Sequence, residues 1–412
     1  MTPDTLPAPG RTDAGTAPAP AWTFGDLTDP VQVLRALVAC KSVTPVDDGA
    51  LDVVQSALEA LGFTCTRIAS GVEGATGKDA RVDNLFAVRG TSGPAFGFAG
   101  HTDVVPAGDG WSADPFGGEV RDGHIFGRGV ADMKGGIAAF IAALARQPAG
   151  FPGTGRIALL ITGDEEGPAV HGTLAILKWM KDNGVTLDHC LIGEPTNATE
   201  MGQEIKVGRR GSINVTITVN GTGGHVAHPH RANNPVHRAI RLAAALTAQP
   251  LDRGTPHFQP SSLQVTSIDV GNTTTNVIPS RALIRLNIRF NDLHTGASLE
   301  AWLRERCLEA CEGREDFFSM ETSVCGEAFL TKPERLARMI ADAAELIGGQ
   351  RPVYSTSGGT SDARFINTLC PTAEYGLVGR TMHQANESVA VDDLEQLTRI
   401  YDEVLKRYFE DA

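Results

Sequence analysis

Long apolar runs are missing from this sequence of 412 residues. No stretch approaches the roughly 18 to 20 apolar residues that cross a membrane, so a membrane partner is not expected. A secretory signal peptide is not predicted either, because basic and apolar regions are absent from the opening residues MTPDTLPAPGRTDAGTAPAPAW. We therefore expect a cytoplasmic protein, with a disordered tail over residues 1–21, where the Pro- and Ala-rich composition offers little to bury.

Positive charge is in short supply. The chain has 36 Lys and Arg against 49 Asp and Glu, which gives a formal net charge of -13. Nucleic acids and membrane surfaces are bound by clustered Lys and Arg, so neither is an expected partner. The hydrophobic content of 42% and charged content of 21% are ordinary for a soluble globular protein. This composition favours a small molecule or a metal ion as the partner.

Cysteine pairs are missing as well. The seven cysteines are scattered along the chain, and no CxxC motif occurs. Cys307 and Cys311 share a helix face in CLEAC, but two thiols without a matching pair elsewhere are more often packing residues than a zinc site. A closed structural zinc site is therefore not expected.

The first part of the chain alternates short apolar runs with helical patterns. The runs predicted as strands are NLFAVRG, AFGFAGH, RIALLITG and DHCLIGE. The stretches predicted as helices are VQVLRALVAC, LDVVQSALEALGF, ADMKGGIAAFIAALARQ and GTLAILKWMKDNG. This alternation is typical of an α/β domain with a largely parallel sheet.

The pattern changes between Gly211 and Ala328. Strand-type alternation appears there in INVTITVNG, SLQVTSIDVG and ALIRLNIRF, together with two helical stretches, which predicts an inserted α+β domain. The earlier pattern resumes in PERLARMIADAAELIG, AEYGLVG and LEQLTRIYDEVLKRYF. The predicted fold is therefore a discontinuous α/β domain over residues 22–210 and 329–412, with a mixed, largely parallel sheet flanked by helices, and an insertion over residues 211–328.

Groups that bind metal ions follow the predicted strands. The five positions are His101 with Asp103, Glu165 with Glu166, Glu194, His383, and Asp132 just before a helix. Each alone has an ordinary interpretation, such as a helix cap at Asp132 or a turn residue at Asp103. Ligands of an open α/β sheet bind beyond the carboxyl ends of its strands. The convergence of these residues on one sheet edge favours a metal site.

The residue types indicate which metals and which chemistry to expect. Carboxylates mixed with imidazoles suit Zn, Mn or Co. Two histidines and several carboxylates are too many ligands for one tetrahedral ion, whereas two ions sharing a bridging carboxylate fit the count. Such a pair activates water and polarises a carbonyl, which is hydrolytic chemistry. Competing motifs are absent, because GRGVAD lacks the third glycine of a dinucleotide loop and no GxSxG, HExxH or P-loop occurs.

Four motifs resemble the metal-dependent aminoacylase and exopeptidase superfamily, which includes peptidase family M20. They are GHTDVVP at 100–106, GRGVADMKGG at 127–136, GDEEG at 163–167 and GEPT at 193–196. Five more are similar to the desuccinylases of this superfamily: GRRGS at 208–212, GGHVAHPHRANNPVHRA at 223–239, TNVIP at 275–279, SGGTSDARF at 357–365 and HQANE at 383–387. The acetylornithine deacetylases share the first set but lack the GRRGS, HVAxPH and SGGTSD combination, so they are the second alternative.

The resemblance implies a dinuclear metal centre, with zinc the expected metal and cobalt or manganese as alternatives. The implied ligands are His101 and Glu194 on one ion, Glu166 and His383 on the other, and Asp132 bridging the two. The resemblance also implies a cis peptide bond between Asp132 and Met133, which is rare outside proline.

Further catalytic roles follow from the same resemblance. The carboxylate of Asp103 would fix the tautomer of the His101 imidazole, and Glu165 would be the general base that takes a proton from the attacking water. His225 would help to stabilise the oxyanion, reaching the site from the partner subunit of a homodimer formed by the inserted domain. Asp164 is expected to be a solvated or loop-capping carboxylate.

The implied substrate is a small anion, N-succinyl-L,L-2,6-diaminopimelate, which carries three carboxylates and one ammonium group. Arginine suits such a substrate because its guanidinium binds carboxylates bidentately. The implied substrate-binding residues are Arg209, Asn276, Arg289, Gly359, Thr360 and Arg364. A broader N-acyl amino acid hydrolase and a non-catalytic binding homologue remain as alternatives. A non-catalytic homologue is expected to lack Glu165 or a metal ligand, whereas this sequence has Glu165 and every implied ligand.

Overall fold

The computed structural model describes residues 22–332 and 335–410. The tail predicted over residues 1–21 lies outside the described residues. Contacts within the chain define two compact units. The first unit contains the described residues up to Val207, together with Thr331–Ser355 and the chain from Ser361 onward, and the second contains Gly208–Leu330 and Thr356–Thr360. The predicted insertion, residues 211–328, falls within the second unit.

The first unit opens with the four helices and four strands predicted from the sequence, and it contains four further strands that were not predicted. The helices are α1 (Pro30–Ala39), α2 (Ala50–Ala60), α3 (Gly135–Ala145) and α4 (Thr173–Asp182). The strands are β1 (Thr64–Ser70), β2 (Val82–Arg89), β3 (Ala95–His101), β4 (Glu119–Arg121), β5 (His124–Phe126), β6 (Arg156–Thr162), β7 (His189–Ile192) and β8 (Glu204–Lys206). Sequence signals account for the start of α1, which begins at a proline and whose first turn is capped by the Asp29 side chain, the acceptor of a hydrogen bond from the Val31 amide.

The second unit follows in the chain and contains two longer helices among its strands. The helices are α5 (Pro235–Thr247) and α6 (Gly296–Ala310). The strands are β9 (Gly208–Arg209), β10 (Gly211–Asn220), β11 (Gly224–His225), β12 (Ser262–Asp269), β13 (Val277–Ile278), β14 (Arg281–Phe290), β15 (Phe318–Gly326) and β16 (Phe329–Leu330).

The chain then completes the first unit. Its remaining elements are α7 (Arg335–Gly348), β17 (Val353–Ser355), α8 (Ala363–Ile366), β18 (Thr372–Glu374), β19 (Ser388–Ala390) and α9 (Val391–Glu410). Among residues 22–332 and 335–410, none of the helices combines the length and the apolar character that a membrane crossing requires.

The first unit is built on an eight-stranded sheet in the order β1-β2-β6-β3-β7-β18-β8-β17. Strand β3 is parallel to both of its neighbours, β6 and β7, and β7 is parallel to β18. Strands β1, β2 and β6 are antiparallel neighbours. The predicted α/β class with a mixed, largely parallel sheet is thus confirmed.

The centre of this sheet is buried against helices. Strand β3 is buried along its whole length, as is typical of parallel strands covered on both faces. Phe140 of α3 stacks on Phe98 of β3 with ring centroids 4.0 Å apart, and Tyr401 of α9 meets both rings edge-on. This packing fixes the strands whose ends carry the candidate ligands.

The second unit has its own sheet and core. Its antiparallel strands lie in the order β12-β14-β10-β15, and their alternate residues pack with α5 and α6 in one hydrophobic cluster. Cys307 and Cys311 are both 0% exposed in this cluster, where they act as packing residues.

Candidate metal centre

Three candidate ligands stand at or just beyond the carboxyl ends of neighbouring strands in the first unit. His101 is the last residue of β3, Glu166 follows the end of β6, and Glu194 follows the end of β7. Because these strands are parallel, their carboxyl ends lie at the same edge of the sheet. The sheet therefore brings these side chains together from distant parts of the sequence.

Asp132 comes from an irregular stretch just before α3. Residues Val130–Lys134 form a kinked turn in which Asp132 and Met133 have non-helical backbone angles. The peptide bond between these two residues is cis, as the resemblance implied. The turn leaves the Asp132 side chain facing two histidines.

The first ligand group contains His101, Asp132 and Glu194. The Nε2 atom of His101 lies 3.2 Å from Oδ1 of Asp132 and 3.8 Å from Oε1 of Glu194. The three side chains are nearly buried, with 1%, 11% and 10% of their surfaces exposed. This group has the donor atoms and the protection from water that a metal position needs.

The second ligand group contains Glu166, His383 and the same aspartate. The Nε2 atom of His383 lies 2.8 Å from Oε1 of Glu166 and 3.2 Å from Oδ2 of Asp132. The His383 side chain is 47% exposed. Asp132 thus directs one oxygen to each group, which is the arrangement that a bridging carboxylate requires.

Charges in the two groups shift one another's pKa values. Hydrogen bonds with Asp132 and Glu166 raise the pKa of His383 to about 10. Burial lowers the pKa of His101, but the hydrogen bond with Asp132 and the charge of Glu194 outweigh it and raise that pKa well above its usual value. Burial and the charge of Asp132 raise the pKa of Glu194 in turn. Carboxylates crowded in this way favour a compensating positive charge.

Divalent ions fit this donor set. In each group the ligand atoms lie within 4.8 Å of one another. Each group offers an imidazole nitrogen and carboxylate oxygens, the ligands that zinc and related ions take up. The groups share Asp132, so the residues fit two ions with one carboxylate between them.

Asp103 supports this edge of the sheet in a way that differs from the sequence prediction. The Nδ1 atom of His101 lies 2.8 Å from the backbone carbonyl oxygen of Asp103 and 3.7 Å from its carboxylate. The carboxylate instead accepts the backbone amides of Glu165 and Glu166, at 3.2 and 3.0 Å, and the Thr44 hydroxyl at 2.6 Å. Its carbonyl therefore orients the imidazole, while its carboxylate positions the loop that carries the two glutamates.

Glu165 faces a small cavity at the same edge. The cavity, about 10 Å³ in volume, is lined by Glu165, His101 and Glu194, and also by Asp362. Burial and the charge of Asp362 raise the pKa of Glu165 well above its usual value. A carboxyl group shifted in this direction is suited to take up a proton near neutral pH.

Asp164 caps the loop instead of meeting solvent. It is 2% exposed, and its Oδ2 atom accepts the amides of Val170 and His171 at 2.9 and 3.0 Å. Of the two alternatives expected for this residue, the loop-capping carboxylate is therefore correct.

Most of the predicted substrate-binding residues belong to the second unit. His225 is exposed on β11, which pairs with β13 immediately after Asn276, so these two residues are brought together. Arg209 is 7% exposed and donates to the carbonyl oxygens of Ser357 and Gly359 at 3.3 and 3.2 Å. Thr360 follows in the same segment, and Arg289 lies on β14.

Arg364 belongs to the first unit and is nearly buried. Its side chain is 9% exposed, and Nη2 lies 3.6 Å from the Asp362 carboxylate. Its Nη1 atom donates to the carbonyl oxygen of Ser361 at 3.3 Å. The guanidinium is thus held beside the acidic residue that faces Glu165.

Two residues of interest were missed by the sequence reasoning. Asp362 lies in the SGGTSDARF motif, is 5% exposed, and has a pKa that burial raises to about 6. Arg210 lies beside Arg209, and burial and the nearby charge of Arg289 lower its pKa. Its Nε atom is buried and has no hydrogen-bond partner within the described part of the chain. The repeated arginine of GRRGS was the available signal for Arg210, because the motif places a second cation next to Arg209.

Comparison with known proteins identifies the family. Residues 97–407 match peptidase family M20/M25/M40. The chain belongs to this family.

Several relatives share most of the sequence, and they carry one name. A succinyl-diaminopimelate desuccinylase of Rhodospirillum rubrum is 60% identical over 393 residues, which cover 93% of this chain and 99% of the relative. The proteins of the same name from Rhodospirillum centenum and Maricaulis maris are 56% and 53% identical. They cover 93% and 94% of this chain, and 98% and 97% of their own lengths.

Solved structures share the fold at low identity. A tripeptidase of Staphylococcus aureus has a TM-score of 0.74 at 17% identity, covering 93% of this chain and 99% of its own. An aminopeptidase of Bacillus cereus has a TM-score of 0.72 at 20% identity, covering 92% and 98%. A dinuclear metal-binding peptidase of Bacillus subtilis from family M20 has a TM-score of 0.67 at 14% identity, covering 94% and 99%.

Proposed function

We propose that the protein is a metal-dependent amidohydrolase that converts N-succinyl-L,L-2,6-diaminopimelate to succinate and L,L-diaminopimelate. The observation that carries the chemistry is the pair of ligand groups that share Asp132, with Glu165 at their side. The substrate is supported by relatives up to 60% identical that are named succinyl-diaminopimelate desuccinylase. This reaction belongs to the biosynthesis of diaminopimelate and lysine.

The two adjacent glutamates have different parts in this proposal. Glu166 binds a metal ion, since its carboxylate meets His383 and belongs to the second ligand group. Glu165 belongs to neither group and faces the cavity beside His101 and Glu194. Glu165 therefore serves as the general base, taking a proton from the attacking water and giving it to the departing amine.

Two divalent ions at these groups would lower the pKa of water towards neutrality and polarise the amide carbonyl. Zinc is the proposed metal, because imidazole and carboxylate ligands in small groups suit it, while cobalt and manganese can occupy the same donors. Asp103 holds the amides of Glu165 and Glu166, so one carboxylate positions both the base and a ligand.

Cations among the remaining residues are proposed to bind the substrate carboxylates. Arg209, Arg289 and Arg364 are the candidates named from the sequence, and Arg210 joins them because its charge lies close to that of Arg289. Asn276, Gly359 and Thr360 complete the proposed contacts with the neutral parts of the substrate. His225 is proposed to stabilise the oxyanion from the partner subunit of a cytoplasmic homodimer that forms through the second unit.

A substrate panel on the zinc-loaded protein tests this function. The panel contains N-succinyl-L,L-diaminopimelate, acetylornithine and simple N-acyl amino acids, and Glu165→Ala is the control for contaminating hydrolases. We expect the succinylated substrate to have the highest kcat/KM, with activity lost on chelation and regained with zinc. A preference for acetylornithine would overturn the substrate, and full activity of the chelated protein would overturn the metal mechanism.

A further inference from the structure

A buried ion pair lies close to the ligand groups without belonging to them. The Nη1 atom of Arg128 lies 2.7 Å from Oε2 of Glu387, and these side chains are 2% and 0% exposed. A buried ion pair contributes little net stability, because desolvation offsets the attraction between the charges. Net stability therefore does not account for this pair, and its hydrogen bonds indicate a different role.

Glu387 holds the backbone of the stretch that carries Asp132. Its Oε1 atom accepts the amides of Ala131 and Asp132 at 2.9 and 3.3 Å. Its Oε2 atom accepts the amide of Gly129 at 3.2 Å in addition to the Arg128 guanidinium. Four donors from one short stretch thus converge on a single carboxylate.

Arg128 holds two other segments of the centre. Its Nη2 atom donates to the carbonyl oxygen of His383 at 3.4 Å. The same atom donates to the carbonyl oxygens of Ala107 and Pro106, at 3.0 and 3.4 Å, in the segment that follows His101. One guanidinium therefore contacts the backbone of the candidate ligand His383 and the backbone of the segment that follows a second candidate ligand, His101.

The backbone at these positions needs such support. His383 has φ of 62°, in the left-handed region that residues other than glycine rarely adopt. Strained conformations of this kind persist only when the surrounding structure holds them in place. Gly129 has φ of 83°, and a Cβ atom there would lie 2.5 Å from the Val104 side chain. The stretch between Arg128 and Asp132 is thus bent tightly around the Glu387 carboxylate.

We propose that Arg128 and Glu387 form a positioning pair that sets the spacing of both metal positions by tying together the segments of Asp132, His383 and His101. The inference rests on the ligand groups of the proposed function. Glu387 acts on both positions because Asp132 belongs to both groups. Arg128 acts chiefly on the second position because it holds His383 and no other ligand directly.

Zinc affinity, measured by chelator competition, separates positioning from a general structural role. Glu387→Gln keeps the size of the side chain but has one acceptor oxygen, whereas the four donors bond to both oxygens of Glu387. We expect both zinc ions to bind about 10- to 100-fold more weakly in the folded variant, the effect typical of groups that support metal ligands. At limiting zinc, kcat falls and recovers as zinc is added, while KM stays unchanged.

Arg128→Lys provides a second, independent variant. A lysine ammonium replaces the charge beside Glu387 but cannot reach Glu387 and the His383 carbonyl with the planar fork of arginine. We expect weaker zinc binding at the second position only, the one that contains His383. A role confined to stability would change neither zinc constant in the folded protein.

Glu395→Gln is the control for the loss of an arginine–glutamate ion pair away from the ligand groups. Arg146 donates to both oxygens of Glu395, at 2.8 and 2.7 Å, and neither residue contacts a ligand segment. This variant is expected to keep both zinc constants. Wild-type constants in folded Glu387→Gln or Arg128→Lys, or failure of both variants to fold, would overturn the proposal. If the wild-type protein itself bound fewer than two ions, the proposed metal centre would fail instead.

Discussion

At the scale of single residues, two adjacent glutamates have separate surroundings. Glu166 lies 2.8 Å from His383 and within a ligand group. Glu165 lines a cavity with His101 and Glu194, and burial raises its pKa. These different neighbours are the reason for proposing Glu166 as a metal ligand and Glu165 as the general base.

Substitution of each glutamate should give a different result. Glu165→Ala is expected to keep both metal ions and lose about 10²- to 10⁴-fold in kcat, the usual contribution of a general base. Glu166→Ala is expected to bind one ion more weakly, because it removes a ligand. Metal analysis after dialysis, together with steady-state kinetics, measures both effects. An emptied metal position in Glu165→Ala with both ions kept in Glu166→Ala would reverse the two roles.

Arg289 offers a test of substrate recognition on a regular strand. Arg289→Lys is expected to raise KM markedly with little change in kcat, because an ammonium cannot replace a bidentate guanidinium. Arg285→Lys is the control, since Arg285 lies on the same strand and pairs with Asp269 at 2.6 Å. Equal KM values in the two variants would remove Arg289 from the substrate site.

The sequence could predict the candidate ligands because strand ends gather at one edge of a parallel sheet. His101, Glu166 and Glu194 each follow an apolar run that is easily recognised. The contact between the Asp103 carbonyl and His101 could not be predicted, because it depends on the local backbone conformation, which the residue types alone do not fix. The buried partners of Glu387 could not be predicted either, because they lie far from it in the sequence.

At the scale of elements, the packing of α3 and α9 on the sheet holds the strands in place. Phe140→Ala removes a side chain that is 0% exposed and stacks on Phe98. We expect a loss of about 3 to 5 kcal/mol in the free energy of unfolding, measured by urea denaturation. The control is Leu346→Ala on α7, which is 61% exposed and should change stability little. Equal losses in the two variants would contradict this view of the core.

The elements that were missed have weak sequence signals for a physical reason. Strands β1 and β15 lie at the edges of their sheets and have few buried residues, so no apolar run marks them. By contrast, β3 could be predicted because burial on both faces leaves a continuous apolar run. Helix α9 could be predicted because its buried residues recur at the spacing of one helix face. The kinked turn at Asp132 has no periodicity that a sequence could reveal.

At the scale of the whole molecule, the proposed dimer can be tested by subunit complementation. His225→Ala alone is expected to lose about 10²- to 10³-fold in kcat, as removal of an oxyanion donor typically does. The His225→Ala and Glu165→Ala proteins are mixed under conditions in which subunits exchange. If His225 acts in the partner subunit, about a quarter of wild-type activity should return, because random pairing makes about half the dimers mixed and each mixed dimer has one intact site of two. A mixture shown to have exchanged but still inactive would place His225 in its own subunit.

Anomalous diffraction at the zinc edge from zinc-loaded crystals tests whether two metal ions share Asp132. We expect two peaks in each chain, about 3.5 to 4 Å apart. One peak should lie among His101, Asp132 and Glu194, and the other among Asp132, Glu166 and His383. A single peak, or two peaks of which only one contacts Asp132, would contradict the sharing of Asp132.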